Sequence, residues 1–162
     1  VAKAIGGGLP VAAIGGTEEA MRVYLDGTLE GEGTFNGNPL GMAAARVVLS
    51  EILTPDVYAR FAEQDARLVA AVTNVIGRYR LPATIETVSC RGSLHLRAEP
   101  VRTFRDETQS DAAVQHLAWL YLLNGGVLTP AGDPWTFSVA HRDEDLERFA
   151  GALERFAEAV TA

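Results

Sequence analysis

The chain carries a single lysine, Lys3, against thirteen arginines. A primary amine can lose its proton and attack a carbonyl, whereas a guanidinium stays charged and cannot. Lys3 is therefore the residue suited to Schiff-base chemistry, provided its pKa is lowered. Gly6, Gly7, Gly8 and Pro10 follow it closely. Consecutive glycines admit positive φ angles and let a ligand or a second backbone come close. On composition alone, chance and a solvated terminus explain the lone lysine equally well.

A second constellation is Gly33-Thr34-Phe35-Asn36-Gly37-Asn38-Pro39-Leu40. A hydroxyl and free N–H groups beside a helix start form a plausible phosphate-binding edge. By itself, an ordinary capped loop is the simpler account. In the third, Ala140-His141-Arg142-Asp143-Glu144-Asp145, the histidine could act as a base. It stands just before a helix, so a capping or surface role is favoured. The acids read as a solvated helix start rather than a metal site, since no His or Cys cluster accompanies them. His95 reads as a strand residue, His116 as a helix residue, and Trp119 and Trp135 as core. Cys90 reads as a half-buried strand residue, with nothing both cationic and helical to activate a thiol.

The elements that must position these groups follow from pattern. A short apolar strand is expected over Val11–Ile14, then a helix from the Thr17 cap to Leu25. Residues 26–38 form a loop. Asn38 and Pro39 open a helix running to about Leu53, with Gly41 and Ala43–Ala45 allowing close approach. Thr54-Pro55-Asp56 breaks it and starts a long amphipathic helix to about Tyr79. The period then changes to two. Strands are expected over Thr84–Val88 and Ser93–Leu96 around an Arg91-Gly92 turn. A loop over 99–109 precedes a helix over 110–123, stopped by Asn124-Gly125-Gly126. Strands over Val127–Thr129 and Trp135–Ala140 follow. The last helix carries a stripe of Leu146, Phe149, Leu153, Phe156 and Val160.

The order after residue 55 predicts a small α+β layer, within an α/β protein, with helices on one sheet face. We place the end of a larger domain at 1–50 and a small C-terminal α+β domain at 51–162. Residues 1–50 do not close a core of their own, and their glycines and alanines suit packing against something else. With 162 residues, the first of them not Met, the chain reads as a fragment of a longer one. A net charge of −7 argues against nucleic acid or an anionic membrane as main partner. No apolar run approaches the roughly 20 residues that span a bilayer. One cysteine permits no internal disulfide and fits a reducing, cytoplasmic setting.

Three strings in order give a more specific reading. K-A-I-G-G-G-L-P-V-A-A-I-G-G at 3–16 resembles the lysine segment of class III aminotransferases, especially the glutamate-1-semialdehyde aminomutase-like branch. G-T-F-N-G-N-P-L-G-M-A-A-A at 33–45 is similar to that family's G-T-F/L-S-G-N-P-L-A-M-A-A. The tail G-V-L-T-P…F-S-V-A-H-R-D-E-D-L at 126–146 is similar to G-V-Y-x-x-P…F-x-S-x-A-H-T-x-E-D-I.

The resemblance implies the C-terminal portion of a fold-type I enzyme that uses pyridoxal 5′-phosphate (PLP). It implies that Lys3 forms the Schiff base with PLP and later moves a proton. Thr34, with Gly33 beside it, would reach the cofactor phosphate of a neighbouring subunit, which implies a homodimer with shared sites. The substrate would be an amino acid or amine. The ring-stacking aromatic, the acid at the pyridine nitrogen and the main phosphate loop precede the lysine in such enzymes, so this chain alone is expected to be inactive. Gly132-Asp133-Pro134 replaces the aminomutase F-E-A. Ala131 and Gly132 also offer no arginine of the kind that receives a carboxylate in related β-amino-acid transaminases. Aminomutase and aminotransferase both stay open. The alternative from another class is a non-catalytic α+β dimerisation or interaction module.

Overall fold

The computed structural model describes residues 1–130 and 135–162. Contacts divide it into two compact units, Val1–Val57 and Tyr58–Ala162.

In the first unit, local capping sets the helices. The Thr17 hydroxyl accepts the Ala20 N–H at 3.2 Å and starts α1, Glu18–Leu25, with two acids at the positive end of its dipole. Asn38 Oδ1 accepts the Gly41 N–H at 2.8 Å and starts α2, Pro39–Val47. The expected helix to Leu53 is not uniform. Its end, Val48–Ile52, widens to a π turn, with the Leu53 N–H bonded to the Val48 carbonyl at 2.8 Å. The expected strand over Val11–Ile14 reduces to one antiparallel bridge, Ala2↔Ala12. The ladder cannot lengthen because its partner segment enters a 3₁₀ turn, Lys3–Gly6, directly after Ala2.

The second unit is α+β. The long helix α3, Pro55–Tyr79, begins at the boundary and carries the buried Phe61, Leu68, Val72 and Val75. Strands β1, Thr84–Val88, and β2, Arg91–His95, pair from Thr84↔His95 to Val88↔Arg91. The hairpin turn is thus Ser89-Cys90, with Ser89 at φ 55, and not Arg91-Gly92. Cys90 accordingly lies in the turn rather than in a strand, though it is half-buried as expected. Gly92 is a strand glycine for a packing reason: a Cβ there would collide with the Trp135 ring.

Residues 99–109 are not all loop. Thr103 and Asp106 cap one another and close a single helical turn, α4, Phe104–Glu107. Helix α5, Ala112–Asn124, starts on Asp111 and ends as expected. Gly126 is left-handed, and the Val127 N–H returns to the Leu122 carbonyl at 2.9 Å. That bond and the one from Trp119 Nε1 to the Thr129 carbonyl, at 2.6 Å, use the backbone that a Val127–Thr129 strand would need, and no strand forms there.

Strand β3 is short, Trp135–Thr136, and pairs with β2 to give the antiparallel order β1-β2-β3. It stops before Ala140 because Ser138–His141 closes into a turn: the His141 N–H reaches the Ser138 carbonyl at 3.0 Å. Helix α6, Asp143–Thr161, is central to this core. Phe156 meets Tyr121 of α5 edge-on, and Phe149 packs on Trp135 of β3. Leu153 and Phe156 are essentially fully buried; Val160, expected on the same stripe, is exposed.

Candidate functional site

Lys3 sits where the chain reverses. The Ala13 N–H donates to the Val1 carbonyl at 2.7 Å, so the segment before Lys3 runs against the segment after the glycines. Lys3 itself is left-handed, at φ 59. Such a conformation costs an L-residue about 1–2 kcal/mol, so the surrounding bonds must enforce it. Gly7, at φ 57, closes the turn through its N–H to the Ala4 carbonyl at 3.1 Å, and the Leu9 N–H follows to the Gly6 carbonyl at 2.9 Å. The Lys3 side chain is exposed, and among the described residues no carboxylate pairs with its amine.

Gly33 and Thr34 open a tight turn ahead of α2. The Asn36 N–H bonds the Gly33 carbonyl at 2.9 Å, and the Asn38 N–H bonds the Phe35 carbonyl at 3.2 Å. Two amide side chains brace the turn: Asn36 Nδ2 donates to the Gly31 carbonyl at 2.7 Å and Asn38 Nδ2 to the Phe35 carbonyl at 3.0 Å. The Thr34 hydroxyl is exposed and makes no hydrogen bond among the described residues. The asparagines do the capping, which leaves that hydroxyl available to a ligand.

A cleft of about 450 Å³ in the same unit is walled by Val11, Met21, Tyr24, Phe35, Asn38 and Met42, among others. Neither Lys3, Gly33 nor Thr34 lines it. As to fit, the described residues offer an amine and a hydroxyl without partners among them, and a glycine turn, which suit a carbonyl-bearing, phosphorylated cofactor.

The remaining candidates are held elsewhere. His141 Nδ1 accepts the Ser138 N–H at 3.0 Å, which fixes a turn rather than presenting a base there. Helix α3 grips that turn: Arg60 donates to the Val139 carbonyl at 2.6 Å and Gln64 to the His141 carbonyl at 3.2 Å. No sequence pattern signalled this grip, since its partners lie more than seventy residues apart. The Arg142 N–H holds the Asp145 carboxyl below the usual carboxylate range. His95 is buried with Glu107 3.8 Å away, and His116 stacks on Trp119. Trp135 is core, whereas Trp119 is only partly buried. The replacement Gly132-Asp133-Pro134, and Ala131 before it, lie outside the described residues. Among the described residues no acidic, His or Cys cluster could hold a metal ion, and no helix is long and apolar enough to cross a membrane.

Comparison with known proteins places this arrangement. The chain is 36% identical over 149 residues to glutamate-1-semialdehyde 2,1-aminomutase 2 of Brevibacillus brevis, covering 90% of this chain and 35% of that protein. Its fold superposes on a β-phenylalanine aminotransferase from Variovorax paradoxus with a TM-score of 0.82, at 25% identity, over 98% of this chain and 37% of that one. A transaminase with PLP bound shares the fold at a TM-score of 0.79 and 21% identity, over 98% of this chain and 37% of that one. The chain thus spans about a third of the length of the relatives it matches. The lysine turn, the threonine turn and the α+β unit as far as residue 153 fall within the span matched by the aminotransferase class-III model, residues 1–153, and the chain belongs to that family.

Proposed function

We propose that this chain is the C-terminal portion of a PLP-dependent class III aminotransferase or glutamate-1-semialdehyde-type aminomutase, with Lys3 as its catalytic residue. The observation that carries the reading is a sole lysine, exposed, without a carboxylate partner among the described residues and held left-handed in a glycine turn, within the residues 1–153 that the family model matches. When bound, PLP supplies a reactive carbonyl and a ring that draws electrons from the substrate carbon. Lys3 Nζ would provide the amine that joins this carbonyl with loss of water; once the substrate's own amine displaces it, the freed Nζ would take and return a proton at the substrate carbon. The Thr34 hydroxyl, beside Gly33, donates to the cofactor phosphate. In this reading the site is shared across a homodimer, residues 1–50 end a large cofactor domain and 51–162 form the small one. The substrate is an amino acid or amine, and the setting is cytoplasmic.

The test is Lys3→Arg in the full-length protein that carries this segment. A guanidinium stays protonated and forms no such attachment. Amino-group transfer is expected to vanish while circular dichroism stays unchanged. Wild-type turnover by the variant would remove Lys3 from the mechanism; absence of amino-group transfer in the wild-type full-length protein would favour the non-catalytic interaction module.

A further inference from the structure

We propose that Val11 is a positioning residue for Lys3: wedged between Gly6 and Gly41, it fixes the lysine turn against α2, the helix that the Thr34 turn opens. The proposal rests on the assignment of Lys3 as the attachment residue.

The first unit has little interior. Among its described residues only Gly6, Val11, Gly41 and Val48 are buried. Two of these are glycines, and both face Val11. A Cβ on Gly6 would lie 3.2 Å from Val11 Cβ and 3.3 Å from the Val11 nitrogen. A Cβ on Gly41 would lie 3.0 Å from Val11 Cγ2 and 3.0 Å from the Asn38 amide. Both distances are tighter than ordinary side-chain contact, so glycine is what admits the valine on each side.

The two glycines belong to the two segments that matter. Gly6 ends the 3₁₀ turn that begins at Lys3. Gly41 stands in the first turn of α2, and its N–H is the one that Asn38 caps. Val11 is therefore a side chain through which the lysine turn and the first turn of α2 share a contact, beside Val48, whose Cγ2 would lie 2.9 Å from a Cβ on Gly7. Lys3, left-handed and exposed, has no side-chain anchor of its own, so its backbone must be aimed by this packing. A displacement of about 1 Å in a reacting group can cost on the order of a hundredfold in rate.

The experiment measures attachment rather than turnover. Apoprotein of the full-length enzyme is mixed with PLP, quenched with borohydride at intervals, and the pyridoxylated Lys3 peptide is quantified by mass spectrometry. Val11→Ala and Gly41→Ala are expected to slow Lys3 labelling at least about tenfold. Two controls separate aim from stability. Val11→Thr keeps the wedge's shape but buries a hydroxyl, so it lowers the unfolding midpoint and labels at nearly the wild-type rate. Leu153→Ala destabilises the second unit and also labels normally. Wild-type labelling rates in Val11→Ala and Gly41→Ala would overturn the proposal, as would a slowing that tracks lost stability across all four variants. If Lys3 is not labelled in the wild type, the attachment assignment fails and the proposal falls with it. If Lys3 is labelled but the wedge variants match the wild type, only the wedge fails.

Discussion

Lys3 combines two properties that seldom meet in one residue: it is the chain's only primary side-chain amine, and its backbone is left-handed. The first is visible in composition, because an arginine-rich background leaves a lysine only where chemistry or chance retains it. The second is not, since the geometry comes in part from bonds between residues ten or more positions apart. Thr34 was legible as a hydroxyl in a glycine-flanked string, but its availability was not. The sequence marks Asn38 as the helix cap, but only the structure shows Asn36 and Asn38 also bracing the turn through their amides. That division of labour yields a sharp expectation. In the full-length enzyme, Thr34→Val should weaken PLP binding by roughly ten- to a hundredfold, the worth of one hydrogen bond to a charged group. Apoprotein thermal stability should not change, because no structural bond is lost. Equal destabilisation of apo and holo forms, with PLP affinity intact, would return Thr34 to a structural role.

Helices were legible because their signals are local. Thr17, Asn38 and the glycine pair after Asn124 each act within a few residues of themselves. Strand ends were not, because a strand is defined by its partner. Gly92 carries a turn signal in sequence but serves the Trp135 ring, which moved the expected hairpin turn by two residues. The start of α6 gives a pH expectation. The Arg142 N–H lowers the Asp145 pKa, so the folded state prefers the carboxylate. A depressed carboxylate pKa stabilises the fold fully above the ordinary value, about 3.9, and this contribution fades as pH falls through the folded value. Asp145→Asn should therefore lower the denaturation midpoint at neutral pH, with the gap to wild type closing in acid. A gap that persists or widens in acid would show that the bond does not depend on the charge.

At the scale of the whole molecule, the two units differ in how much they bury. Tyr58–Ala162 holds the aromatic and aliphatic core around α6, whereas Val1–Val57 leaves Ile14, Leu25, Leu29, Phe35 and Leu40 exposed. The sequence pointed to that contrast through the glycines and alanines of residues 1–50. It did not foretell that the few buried residues of the first unit cluster around Val11. A consequence is that the 162-residue chain by itself should lose PLP on dialysis, read as the disappearance of cofactor absorbance. Tight, stoichiometric PLP on the isolated chain would place the site elsewhere. The attachment point itself is tested most directly by borohydride reduction of the active full-length enzyme, followed by peptide mapping. The account requires a single phosphopyridoxyl group per subunit, on the peptide that contains Lys3. A reduced adduct on any other residue, or fully active enzyme with none, would contradict it.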